Sequence, residues 1–211
     1  MNIKQVADIL GQERIQVEVT ADSLHVIPSF QDENIYKLEK RGNQRIYLFI
    51  QYERGSGKET ILETFQSEEE AAIYFLLVTL QSSFYHNYIF PNKEKNASLN
   101  MGNPNFTIAD LQTALSSLHV GHVNYSIYDE ATVPHSKHLS RVTPSESKVQ
   151  FIGKNNQVVI ETMELENWDA YSVMFDFVYL LALLDEIVNR LVQANQLKGL
   201  SDDEIATFLT A

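Results

Sequence analysis

Ile61-Leu62-Glu63-Thr64-Phe65-Gln66-Ser67-Glu68-Glu69-Glu70-Ala71-Ala72 and Val159-Ile160-Glu161-Thr162-Met163-Glu164-Leu165-Glu166-Asn167-Trp168-Asp169-Ala170 decide the reading of the fold. Each begins as an aliphatic strand, passes through Glu-Thr and an acidic stretch, and enters an apolar run at helical spacing. They lie 98 residues apart, from Glu63 to Glu161, and the Glu-Thr pair, a later Glu and an Ala coincide at that offset. Upstream, Arg45-Ile46-Tyr47-Leu48-Phe49-Ile50 corresponds to Lys148-Val149-Gln150-Phe151-Ile152. Earlier still, Ile3-Lys4-Gln5-Val6-Ala7-Asp8-Ile9-Leu10 corresponds to Ile108-Ala109-Asp110-Leu111-Gln112-Thr113-Ala114-Leu115. Three segments in one order predict a domain-scale duplication, longer than any solenoid period.

Each copy is expected to open with a short amphipathic helix, Ile3, Val6 and Leu10 or Ile108, Leu111 and Leu115 forming the apolar stripe. Thr107 is placed to cap the second of these helices. Alternating strands follow at Ile15–Val19 and Val123–Ile127, with further strands at Ile35–Leu38 and Leu139–Val142. A hairpin then spans Ile46–Tyr52 and Thr60–Phe65 around Gly55-Ser56-Gly57, or Lys148–Ile152 and Val158–Met163 around Gly153-Lys154-Asn155-Asn156. Ser67-x-x-Glu70 predicts a capping box, and Glu68 to Glu70 favour a helix N-terminus. The closing helix of the second copy, about 166–196, is apolar on most sides, so it is expected to pack against its counterpart around Ala72, Phe75, Leu76 and Thr79. The predicted class is α+β: a tandem duplication of a helix, an antiparallel four-stranded sheet and a long helix, the long helices packed together. The predicted divisions are 1–90, a polar linker at 91–105, 106–198, and a short C-terminal helix at 199–211 capped by Ser201-Asp202-Asp203-Glu204.

The bulk chemistry excludes several functions. An apolar fraction of 44% with 21% charged residues argues for a packed core over disorder. A net charge of −12 opposes nucleic-acid binding and docking on anionic lipid. No cysteine is present, which excludes disulfides, a thiol nucleophile and a thiolate-held zinc. No signal peptide or spanning segment is legible, the most apolar run, Val173–Leu184, being short and carrying Asp176. The expected setting is therefore cytoplasmic.

Glu53-Arg54-Gly55-Ser56-Gly57-Lys58-Glu59-Thr60 resembles a phosphate loop superficially. Tyr52 stands at the leading glycine position and Glu59 where a hydroxyl would meet magnesium, so a hairpin turn is expected. His119-Val120-Gly121-His122 and His135-Ser136-Lys137-His138 form two H-x-x-H pairs, and four imidazoles could close a metal site. Neither pair sits on an evident helix, so neither metal, cofactor nor catalytic residue is predicted. The carboxylates Glu63 with Glu68 to Glu70, and Glu161 with Glu164, read as helix-start residues. Aromatics are the stronger signal: Phe84-Tyr85-His86-Asn87-Tyr88 ends the first long helix, and Tyr47 and Tyr52 punctuate a strand. Tyrosine among carboxylates is typical of protein interfaces. The candidate partner surface is Tyr47, Tyr52, Glu53, Glu63, Glu68 and Glu69, expected to meet a basic or neutral protein.

From Arg45 to Leu80, a strand, a turn, a strand ending Glu-Thr-Phe and a helix opening Ser67-Glu68-Glu69-Glu70-Ala71 resemble the small acidic immunity proteins of Gram-positive polymorphic toxin systems. The resemblance implies a cytoplasmic protein, not an enzyme, that inhibits a cognate toxin stoichiometrically by occlusion. The alternatives are a secretion chaperone, also small, acidic and α+β, that holds a segment of a secreted partner, and a metal-dependent enzyme using His119, His122, His135 and His138.

Overall fold

The computed structural model describes residues 1–27, 34–53, 56–118 and 125–211, with backbone alone at Glu53 and Ser56. The chain is α+β and divides into two compact units, Met1–Leu80 and Gln81–Ala211.

In the first unit, α1 (Ile3–Gln12) is fixed at its start by Asn2, whose side chain accepts from the Gln5 N–H while the Gln5 side chain accepts from the Asn2 N–H. Ile3, Val6, Ile9 and Leu10 are buried, the apolar stripe the spacing requires. The helix stops at Glu13, after which Arg14 adopts a left-handed conformation with φ 63. Five strands follow: β1 (Val17–Val19), β2 (Ser23–Val26), β3 (Ile35–Arg41), β4 (Gln44–Glu53) and β5 (Ser56–Phe65). They pair in chain order, every neighbour antiparallel. Gly42 makes the β3–β4 turn possible, because its φ of 61 suits a residue without Cβ. β4 is buried at four consecutive residues, Arg45 to Leu48, so both of its faces are covered there. β5 carries one extra residue at Leu62, the register shifting from Tyr47↔Glu63 to Leu48↔Ile61. α2 (Glu68–Phe84) begins where the Ser67 hydroxyl accepts from the Glu70 N–H, as the capping pattern requires, and the division between units falls within it.

In the second unit a π-helical turn, Tyr85–Ile89, leads into α3 (Phe90–Lys95) and a 3-10 turn, Ala97–Leu99. The segment read as a polar linker therefore contains helical turns, and Leu99 and Met101 pack against the core of this unit. α4 (Ile108–Ser116) opens with the Thr107–Asp110 capping box. The strands are β6 (Tyr125–Ile127), β7 (Ser136–Arg141), β8 (Glu146–Ile152), β9 (Val158–Glu161) and β10 (Leu165–Glu166). Their order is β10-β8-β7-β6, with β9 also on β8, and β6 runs parallel to β7. α5 (Asn167–Gln193) crosses the sheet and buries Ala170, Met174, Phe175 and Val178 against Leu111, Leu115, Leu139 and Val149. α6 (Asp202–Thr210) is capped by Ser201 and Glu204, as read from the sequence.

The expected duplication is not confirmed. Both units contain a short helix, strands, a hairpin and a long helix, but one sheet is a five-stranded antiparallel meander and the other is mixed. The difference lies at β6. Tyr128 and His135 both take left-handed conformations, with φ 54 and 55, and the chain between them returns to lay β7 beside β6 in the same direction. The four-stranded expectation fails as well: the first sheet has a fifth strand because β1 and β2 form a hairpin at Thr20, whose hydroxyl accepts from the Asp22 and Ser23 N–H groups.

Candidate functional site

The residues expected to form a partner surface lie on β4, β5 and the start of α2, and the fold gives them different environments. Tyr47 is 7% exposed, stacked on Tyr36 at 5.8 Å between ring centroids and edge-on to Tyr74 and Phe75 of α2. Burial first, then the neighbouring Tyr74 and Tyr36, pushes its phenol pKa well up. Tyr47 is thus a core residue, which corrects its assignment as an exposed anchor. Its strand lies inside the sheet, between β3 and β5, and an amphipathic alternation cannot reveal that both faces are covered.

Tyr52 is 40% exposed at the closed end of the β4–β5 hairpin, next to the last ladder pair, Glu53↔Ser56. Its partner across the ladder is Gly57, and a Cβ built there would lie 3.5 Å from the Tyr52 ring and 3.2 Å from Ile50 Cγ2. The missing side chain at Gly57 lets the Tyr52 ring lie along the outer strand. Glu63 is exposed on β5 opposite Tyr47. The side chain of Glu53 lies outside the described residues, as does Gly55 of the supposed phosphate loop.

Glu68 and Glu69 are engaged within their own unit. Glu68 accepts from the Arg45 guanidinium at 3.0 Å and from the Ile3 N–H at 3.3 Å. Partial burial opposes its ionisation, but those two donors prevail and hold its carboxyl below the usual range. Arg45 also donates to the Asp22 carbonyl, so this buried guanidinium ties the β2 hairpin to the start of α2. Glu69 accepts from the Met1 amine at 3.0 Å. Glu68 is therefore a fastening residue rather than rim charge.

Two exposed aliphatics that the sequence reading passed over complete the patch: Ile61, 55% exposed, and Leu62, 45% exposed, both on β5. Together with Tyr52 they give the outer strand an apolar surface between carboxylates. The signal for them is the adjacent pair Ile61-Leu62 within the hairpin strand Thr60–Phe65, since strict alternation turns two neighbouring residues to opposite faces. The bulge at Leu62 breaks that alternation.

A second candidate region lies on β7. His135 Nε2 sits 2.8 Å from Asp185 Oδ1 of α5, and His138 Nδ1 sits 2.8 Å from the Ser126 hydroxyl of β6. The two imidazoles engage separate partners on separate elements. Burial lowers the His138 pKa, the Glu130 carboxylate partly opposing it. His119 and His122 fall outside the described residues. Among the described residues no group of three or more His, Cys, Asp or Glu side chains is placed to hold a metal ion.

Between these histidines Lys137 is fully buried. Its Nζ lies 4.5 Å from the Phe151 ring centroid and 4.9 Å from that of Phe177, and it has no hydrogen-bond partner among the described residues. Burial drives its amine well below the usual lysine pKa. Nothing in Ser136-Lys137-His138-Leu139 marks this residue, since a lysine in a short polar strand reads as solvent-facing.

The carboxylates of the second hairpin have an ordinary explanation, though not capping. Glu161 is on β9, accepting from Lys148 Nζ at 2.8 Å and Gln150 Nε2 at 2.9 Å across the ladder. α5 is instead anchored through Asn167, whose side chain donates to the Pro144 carbonyl and accepts from the Ser147 hydroxyl. No helix among the described residues is long and apolar enough to cross a membrane. Comparison with known proteins finds no family model, no curated protein and no solved structure that matches this chain.

Proposed function

We propose that this protein is a non-catalytic binder of another protein, acting as a cytoplasmic immunity protein that occludes a cognate toxin. The observation that carries the reading is the outer surface of the first hairpin, where Tyr52, Ile61 and Leu62 are exposed beside Glu63 on a chain of net charge −12. Exposed aromatic and aliphatic side chains supply desolvated anchors, and surrounding carboxylates steer a basic or neutral partner. Of the two candidate tyrosines Tyr52 remains as the anchor, since Tyr47 is buried in the core.

The secretion-chaperone reading uses the same surface with an unfolded segment in place of a folded toxin. The two differ in the fate of the partner. Co-expression with the protein encoded beside this one should abolish that protein's toxicity, and the pair should co-purify in equal amounts. Tyr52→Ala should preserve the fold and speed dissociation, at a cost of about 1–3 kcal/mol in binding. A neighbour whose activity survives complex formation would replace the immunity reading by the chaperone reading. Absence of any complex would overturn both.

A further inference from the structure

We infer that the free edge of β5 is a strand-addition site for an extended partner segment of the pattern apolar–x–basic–x–apolar. The inference rests on the protein-binding reading above and specifies its chemistry.

The two edges of the first sheet are unequal. β1 is three residues long and lies beside α1. β5 is ten residues long, and every side chain from Gly57 to Thr64 is exposed. It pairs with β4 on one side, and among the described residues its backbone makes no hydrogen bond on the other. In an antiparallel ladder alternate residues turn N–H and C=O outward at an edge, a ready template for a further strand. Proteins that merely guard an edge keep it short, cover it, line it with charges, lysine above all, or twist it away with a bulge; β5 is bulged only at Leu62, beyond the stretch Gly57 to Ile61. β5 carries one cation, Lys58, against Glu59 and Glu63, and it exposes two large aliphatics.

The regular part of the edge is Gly57 to Ile61, because the bulge at Leu62 interrupts pairing beyond it. Gly57, Glu59 and Ile61 share one face by the two-residue period of a strand. On that face the Tyr52 ring lies against Gly57, so an incoming strand meets an aromatic surface, a carboxylate and an isoleucine in succession. Cross-strand neighbours interact most strongly when apolar meets apolar and opposite charges face one another. The complementary segment therefore places aliphatic residues across Gly57 and Ile61 and Lys or Arg across Glu59. Arg41 already donates to Glu59 at 2.6 Å, which leaves the second carboxylate oxygen for the partner's cation. A second copy of this chain is the poorer occupant, since two molecules of charge −12 repel and each would bring its own carboxylates to the edge.

The test uses the full chain and a synthetic peptide, Thr-Val-Thr-Lys-Thr-Val-Thr. Two companions carry Glu in place of Lys, or N-methyl groups on the amides of one edge. The readouts are binding by titration and backbone amide exchange resolved by residue. The expected result is binding by the lysine peptide with slowed exchange at alternate amides between Gly57 and Ile61. The glutamate peptide should bind about fivefold more weakly, and the N-methylated peptide should not bind when its blocked edge must pair. Binding of the N-methylated peptide equal to that of the unmethylated lysine peptide, or slowed exchange confined to other strands, would overturn strand addition while leaving the protein-binding reading intact. No peptide binding at all would also overturn it, and the toxin neutralisation experiment would still stand separately. Slowed exchange in β5 that rises with protein concentration without peptide would assign the edge to a second copy, against the inference.

Discussion

At the scale of single residues, Lys137 and Asp176 are the costly ones. Lys137 is enclosed by Phe151 and Phe177 with no hydrogen-bond partner for its amine, so charging it in the folded state is opposed by burial. Its folded pKa lies below the unfolded value. Stability tied to this group is therefore lost as pH falls below about 10.4, where the unfolded lysine takes up its proton. Lys137→Met keeps the length of the side chain and removes the amine. It should raise stability by about 1–3 kcal/mol at neutral pH, and the difference from the wild type in chemical denaturation should shrink as the solution is made alkaline. Asp176 shows the opposite linkage. Burial raises its carboxyl to about 6, against the pull of Lys93 2.7 Å away. The unfolded carboxyl ionises first, so stability present in acid is lost as pH rises from about 4 towards 6. Asp176→Asn should flatten denaturation midpoints across that window, while the wild type declines by up to about 3 kcal/mol. A wild-type profile as flat as that of the variant would contradict the assignment.

At the scale of elements, local chemistry and long-range pairing separate cleanly. The helix starts at Ser67, Thr107 and Ser201 were legible because a hydroxyl followed at three residues by a carboxylate is satisfied within one turn. The start of α5 was read to within a residue, at about 166, but what anchors it was not legible, since Asn167 is held by the Pro144 carbonyl and Ser147, which are distant in sequence. The turn between β8 and β9 shows the same dependence on tertiary contact. Gly153 is followed by the Lys154 N–H, which donates to the Asp202 carboxylate, and Gln157 Nε2 donates to Asp202 at 2.9 Å. A Cβ at Gly153 would stand 2.7 Å from Gln157 Nε2 and 2.8 Å from Val159 Cγ2, and would strike the Asp202 carboxylate. Gly153→Ala should therefore destabilise the chain by about 1–3 kcal/mol through overpacking. Amide exchange should report the loss first at the N-terminus of α6, and protection there equal to the wild type would sink the idea.

At the scale of the whole molecule, the charge of −12 sets the expected kinetics of any association. Field complementarity acts on encounter and is screened by salt, whereas desolvated anchors act on dissociation. Glu63→Lys on the exposed outer strand should slow association with a basic partner and flatten its dependence on ionic strength. Dissociation should change little. Surface-plasmon or stopped-flow measurements at low and high salt check this, and an unchanged association rate would move the steering surface elsewhere. The sequence by itself determined the α+β class, the strands of both hairpins, the short opening helices and three helix caps, because each is written in periodicity or in contacts a few residues apart. Only the tertiary structure decided that β6 runs parallel to β7, that Tyr47 and Lys137 are buried, and that β5 is a long edge strand, unpaired on its outer side among the described residues. Strand neighbours and the covering of a second face depend on residues remote in sequence, and alternation along one strand carries no record of what lies beside it.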